Sequence, residues 1–172
     1  GLALALSRHE QHDEALQLVK ALYEYNPQSV PYIGAYAELL INAARTEQAN
    51  EVLGRALAFY PESYPLSMLK AQALIKDQRH AEAERLYKQI SRQRPQDPLV
   101  WFELAETSGL AGNVVDVHLA RAEFFYLNGA PHRAIQHLEY AKNLVAGGNR
   151  QLHAKLTQRI QNLRTEIRAT RG

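Results

Sequence analysis

The stretches DEALQLVKALYEYNP (Asp13–Pro27), EQANEVLGRALAFYP (Glu47–Pro61) and AEAERLYKQISRQRP (Ala81–Pro95) decide how this chain is read. In each, an alanine is followed twelve residues later by a proline. The alanines are Ala15, Ala49 and Ala83, evenly spaced (49 − 15 = 34, 83 − 49 = 34), and Pro27, Pro61 and Pro95 keep the same spacing. Two series sharing one period mark a repeated supersecondary unit that buries its apolar face only by stacking on its neighbours.

A 34-residue period is that of the tetratricopeptide repeat, a helix–turn–helix unit. Its second helix asks for A-x3-F, and the chain supplies Ala15-x3-Val19, Ala49-x3-Leu53 and Ala83-x3-Tyr87. Its first helix asks for W-x2-L-G, and Trp101, Leu104 and Ala105 fill those slots. The small residue recurs as Ala3, Ala37 and Ala71, where the two helices of a repeat approach closely. These residues read as core packing.

The register predicts helices over about 1–9, 12–25, 30–43, 46–59, 65–76, 80–93 and 98–111. Pro27, Pro61 and Pro95 end the second helices because proline lacks the amide that a continuing helix needs. SRHEQHDEA (Ser7–Ala15) falls where the first two helices should turn, matching the polar stretches NAARTEQA and IKDQRHAEA.

After Ala83 the next alanine is due at 117, which is Val117; the box returns as Ala134-x3-Leu138-x2-Ala141. Either one extra helix has entered the array, or Val117 is a degenerate box and the later match is a coincidence. A bend is expected near 96–115, with regular repeats over 1–96 and an irregular helical half over 97–172. Asn128-Gly129 closes one helix there, and Pro131 opens the next. The last helix, about 149–169, carries Leu152, Leu156, Ile160, Leu163 and Ile167 on one stripe, as a terminal cap must. The fold expected is therefore all-α: a tetratricopeptide-repeat solenoid of about ten helices, irregular in its second half, with an amphipathic C-terminal capping helix.

Composition sets the outer limits. The 172 residues are 46% hydrophobic and 22% charged, with net charge +2. That suits one folded domain of ordinary globular composition, and the charge is too balanced to point to nucleic acid. Six basic groups (Arg150, Lys155, Arg159, Arg164, Arg168, Arg171) face Glu166 alone at the C-terminal end, but no aromatic interleaves with them to stack on bases. They read as the solvated face of the cap. With no cysteine, disulfides and thiolate metal sites are excluded, and no apolar run has the length of a transmembrane segment. Gly1-Leu2-Ala3 opens directly in an apolar helical pattern, as expected of a piece cut from a longer protein.

No catalytic motif emerges. His9-Glu10-Gln11-His12 superficially resembles the zinc-peptidase motif H-E-x-x-H, but its histidines are three apart and Asp13 stands where the second is required. The other histidines (His80, His118, His132, His137, His153) show no third ligand at metal spacing, and His132 and His137 fall on different helix faces. Phosphate loops, nucleophile elbows and dinucleotide fingerprints are missing. The chain by itself is expected to be no enzyme, to hold no metal or cofactor and to bind no nucleic acid.

Stacked repeats line a concave face with their first helices. In the alanine register, positions five, nine and thirteen of each repeat look into it: Gly34, Glu38 and Asn42; Met68, Gln72 and Lys76; Phe102, Glu106 and Leu110. Arg8 extends the set. The candidate protein-binding residues are thus Arg8, Glu38, Asn42, Met68, Gln72, Lys76, Phe102 and Glu106, a mixture of apolar anchors and polar groups suited to an extended segment of a partner. Packing against another part of the same protein would use the same face.

RPQDPLVWFELAE, EFFYLNGAPHRAIQHLEYAK and LTQRIQNLRTEIR resemble the C-terminal tetratricopeptide part of the BepA (YfgC) family, bacterial periplasmic zinc metallopeptidases with a chaperone role. The likeness spans essentially the whole chain. It implies a periplasmic parent with a separate peptidase domain that carries the zinc. It also implies partners: outer-membrane β-barrel proteins, the barrel-assembly machinery and the parent's own peptidase domain. The repeat part would recruit stalled barrels for assembly or degradation. A free-standing adaptor or scaffold binding a peptide segment of a partner is the other reading.

Overall fold

A computed structural model describes residues 2–169, with side chains from Glu14 to Ala169. Among the described residues there are nine helices and no strand: α1 (Leu2–Tyr25), α2 (Val30–Asn42), α3 (Thr46–Phe59), α4 (Tyr64–Lys76), α5 (His80–Gln93), α6 (Pro98–Leu110), α7 (Val114–Leu127), α8 (Pro131–Val145) and α9 (Arg150–Ala169). The chain divides into two compact units, Gly1–Leu86 and Tyr87–Gly172. In the first, α1 packs on α2, α2 on α3 and α3 on α4, and α2 also touches α4. In the second, α6 packs on α7, α7 on α8 and α8 on α9.

The expected punctuation is where the helices stop. α1, α3 and α5 end at Tyr25, Phe59 and Gln93, each two residues before its proline. The other kind of turn has a common geometry. The amides of Arg45, Arg79, Asn113 and Ala130 donate back to the carbonyls of Leu40, Leu74, Ser108 and Phe125, each at 2.8 Å. The residue before each of these amides is left-handed: Ala44 (φ 59), Gln78 (φ 59), Gly112 (φ 79) and Gly129 (φ 71). This reversal closes the orphan carbonyls at a helix C-terminus.

Ser7–Ala15 is a correction. The turn expected there is absent, and the backbone runs as one helix from Leu2 to Tyr25. Two expected helices thus become one, and ten become nine. Glu10 stands one period before Ala44, where the reversal would need a left-handed residue; Ala44 and Gln78 carry that cost of about 1–2 kcal/mol, whereas at Glu10 the backbone continues as helix.

Beyond Ala83 the described residues show no extra helix. The first helices of the pairs begin at Val30, Tyr64 and Pro98, and the second helices at Thr46, His80 and Val114, so both series keep the full period (64 − 30 = 98 − 64 = 34; 80 − 46 = 114 − 80 = 34). Val117 is the degenerate box. The alanine box at Ala134 lies on α8, the first helix of a further pair, which begins one position short of a full period after α6 (131 − 98 = 33).

The cores follow the framework positions. In the first unit Ala37, Leu40, Ala49, Leu53, Leu66 and Ala73 are sealed from solvent, with Ile33 and Leu16 beside them. In the second unit, Ala134, Leu138 and Ala141 of α8 pack with Leu156, Ile160 and Leu163 of α9. Leu152 and Ile167 complete the stripe expected of the capping helix. Its basic face is not simply solvated: Arg164 pairs with Glu139 of α8 at 2.6 Å, and Arg159 pairs with Glu123 of α7 at 3.7 Å while covering the Tyr126 ring.

Candidate functional site

The first unit holds six of the candidate binding residues, five of them with described side chains. Glu38, Asn42, Gln72 and Lys76 are exposed and Met68 is half-buried. α2 and α4 meet there: a side chain at Gly34 would contact Leu69, and the Lys76 ammonium donates to the Ile41 carbonyl at 3.4 Å. A cation at that carbonyl complements the negative end of α2. The side chain of Arg8 lies outside the described residues, as do those of His9 and His12.

Phe102 and Glu106 belong to the second unit, and there the structure builds a pocket. Both lie on α6, one turn apart. Asp97 caps the start of that helix, accepting from the Leu99 amide at 3.0 Å, and the Trp101 indole N–H donates to the Pro95 carbonyl at 2.9 Å. Ala105, also on the lining, is almost fully buried, and this small residue lets α7 come close. α7 contributes Arg121, Phe124 and Phe125, and α8 contributes His137, closing a hollow of about 210 Å³.

Its wall is a chain of rings. Phe102 and Phe124 have centroids 5.7 Å apart, Phe124 and Phe125 5.3 Å in an edge-on arrangement, and Phe125 and His137 5.3 Å with planes only 12° apart. The Arg133 guanidinium lies over the Phe125 ring, 5.4 Å from its centroid. Such ring pairs contribute about 0.5–1.5 kcal/mol beyond area burial and hold the wall rigid. At the rim Arg121 pairs with Glu106 at 3.2 Å. Phe102 remains 43% exposed, so its ring is available from outside.

Local electrostatics favours neutral forms. Burial, with repulsion from Glu106, raises the Glu103 pKa above its ordinary value. Burial lowers both His118 and His137; the Arg121 charge adds to this, and for His137 so does His118. His118 and His137 touch, their Nδ1 atoms 3.0 Å apart. Reasoning from spacing missed this pair, and it also missed Arg121, Phe124 and Phe125. One signal was present: Phe124, Phe125 and Tyr126 are consecutive aromatics, and at about 3.6 residues per turn three successive side chains cannot all face one core.

Among the described residues no group of three or more His, Asp or Glu side chains is placed to hold a metal ion, and no helix is long and apolar enough to cross a membrane. With the catalytic motifs missing from the sequence, the arrangement offers an apolar socket with a charged rim, suited to binding.

Known proteins agree on the fold. MamA, from residue 41 to its end, of Desulfovibrio magneticus RS-1 superposes with a TM-score of 0.62 at 16% identity, covering 96% of this chain and 92% of that one. A thermophilic TPR protein from Thermus thermophilus gives 0.54 at 17% identity, over 94% and 95%. A tetratricopeptide repeat protein from Parabacteroides merdae gives 0.54 at 14%, over 90% and 66%. At such identities the likeness is one of fold. No curated protein matches the sequence. The tetratricopeptide-repeat profile matches residues 6–63 and 43–106, more than half of the chain, in agreement with the helix pairs described above; the chain belongs to the tetratricopeptide-repeat family.

Proposed function

We propose that this chain is a protein-recognition module that captures an apolar side chain of a partner segment in the Phe102–Phe124–Phe125 socket. The observation that carries the reading is the partly exposed phenylalanine at the mouth of a pre-formed aromatic hollow, with an ion pair at its rim. An aromatic anchor surrounded by polar groups is the usual energetic centre of a protein contact. Membership of the repeat family supports protein partners.

The finer reading rests on the resemblance of RPQDPLVWFELAE, EFFYLNGAPHRAIQHLEYAK and LTQRIQNLRTEIR to the BepA family. On it, the module works in the periplasm beside a zinc peptidase domain that holds the metal. It recruits outer-membrane β-barrel proteins and contacts the barrel-assembly machinery, for assembly or for degradation of stalled barrels. Glu38, Asn42, Met68, Gln72 and Lys76 offer a separate candidate contact on the first unit.

Photo-crosslinking in cells from positions 102 and 124, with 159 and 164 as controls, tests both levels. Crosslinks to envelope proteins from the first pair support the periplasmic reading, and crosslinks to cytoplasmic proteins support a free-standing adaptor instead. Crosslinks from the controls alone move the contact to α9 and discard the socket. Phe102→Ala should weaken capture by about 2 kcal/mol, with helicity unchanged.

A further inference from the structure

The second unit also brings two histidines together, one of which, His137, lies on the lining of the socket. His118 of α7 and His137 of α8 place their Nδ1 atoms 3.0 Å apart, although 19 residues of chain separate them. In the metal-free protein this is a hydrogen bond, one Nδ1–H donating to the lone pair of the other. We propose that the two Nδ1 atoms form a cis-chelating site for a divalent transition-metal ion of the Cu2+ type: the donor ring gives up its Nδ1 proton to solvent and takes one at Nε2, so that both Nδ1 lone pairs bind the ion, with water filling its remaining positions.

Three observations support the assignment. The first is the bite. With metal–nitrogen bonds of about 2.0–2.1 Å, two imidazoles at a right angle have nitrogens about 2.9 Å apart, and at a tetrahedral angle about 3.3 Å. A separation of 3.0 Å is close to the right-angled bite, so the rings need little movement to take an ion of tetragonal preference such as Cu2+ or Ni2+. Copper also heads the divalent series in affinity for nitrogen ligands.

The second is preorganisation. Phe125 lies flat on His137, inclined by 12°, and the Tyr140 ring packs against both imidazoles at 5.2 and 6.1 Å. These neighbours hold the rings in place before an ion arrives, the role that surrounding groups play at metal sites generally. The third is charge state. Burial, with the Arg121 charge, lowers the pKa of both histidines and so favours the neutral form, the one that binds metal. Arg121 on the same helix as His118 opposes a cation, but Glu106 of α6 pairs with it at 3.2 Å and offsets that charge.

The test titrates Cu2+ into the whole chain at neutral pH in a non-coordinating buffer, against a competing chelator, and records pulsed electron paramagnetic resonance at one equivalent. The expected result is one tight Cu2+ per chain whose spectrum shows two coupled imidazoles through their remote Nε2 nitrogens. His118→Ala and His137→Ala should each weaken binding on the order of tenfold or more, and His132→Ala should not. The spectrum needs no substitution, so it decides even where a variant folds poorly. One imidazole or none at the ion overturns the proposal. So does binding that survives both substitutions and disappears with His9→Ala or His12→Ala.

Discussion

Phe125 lies against His137 with ring centroids 5.3 Å apart and planes inclined by only 12°, joining α7 to α8 at the inner wall of the pocket. Arg133 covers the same phenylalanine. Phe125→Leu keeps the apolar volume but loses both ring interactions. The second unit should lose about 1 kcal/mol, read as a lower denaturant midpoint with an unchanged slope. Capture at the socket should weaken too, because His137 loses the surface that orients it.

Ala44 and Gln78 hold positive φ of 59° with a Cβ attached, while Gly112 takes the equivalent place one period later at 79°. An L-residue in that region carries a steric cost that glycine does not. Ala44→Gly and Gln78→Gly should each raise stability by about 1 kcal/mol, and Gly112→Ala should lower it by a similar amount. Thermal unfolding of the three variants checks the sign. A loss of stability in both glycine variants would show that the reversal is not strained.

Glu103 has a raised pKa, through burial first and repulsion from Glu106 second. The folded chain therefore holds this proton more tightly than the unfolded one, so ionisation of Glu103 opposes folding. That penalty is complete above the raised folded value and fades as pH falls through it towards the ordinary value of 4.5. Glu103→Gln should stabilise the chain at neutral pH, and the difference from the parent should close as the solution is acidified through that window. Denaturation curves at a series of pH values would show it.

α9 is attached by apolar contact more than by charge. Leu163 is 1% exposed within the α8–α9 core, whereas the Arg164–Glu139 pair lies at the surface, with the arginine 54% exposed. Leu163→Ala should cost about 2–5 kcal/mol and release the helix. Arg164→Ala should cost under about 1 kcal/mol, because an exposed ion pair is screened and restricts two long side chains. Hydrogen exchange along α9 distinguishes the two outcomes.

Period and punctuation were legible from residue order alone. The 34-residue period places helix pairs wherever it recurs, and Pro27, Pro61 and Pro95 stop helices through a missing amide, which needs no tertiary partner. The apolar stripe of α9 marked it as a cap for the same local reason. Three-dimensional packing decided the rest. The reversals at Ala44 and Gln78 occupy a backbone region that their residue types disfavour, so no local signal separates them from Glu10, where the helix continues. Phe102 and Glu106 could be placed from repeat position, but Arg121, Phe124, Phe125 and His137 join them only because α7 packs on α6 and α8 on α7. The His118–His137 contact is wholly of this kind. A distance of 3.0 Å across 19 residues belongs to the packing of two helices, and sequence spacing carries no trace of it.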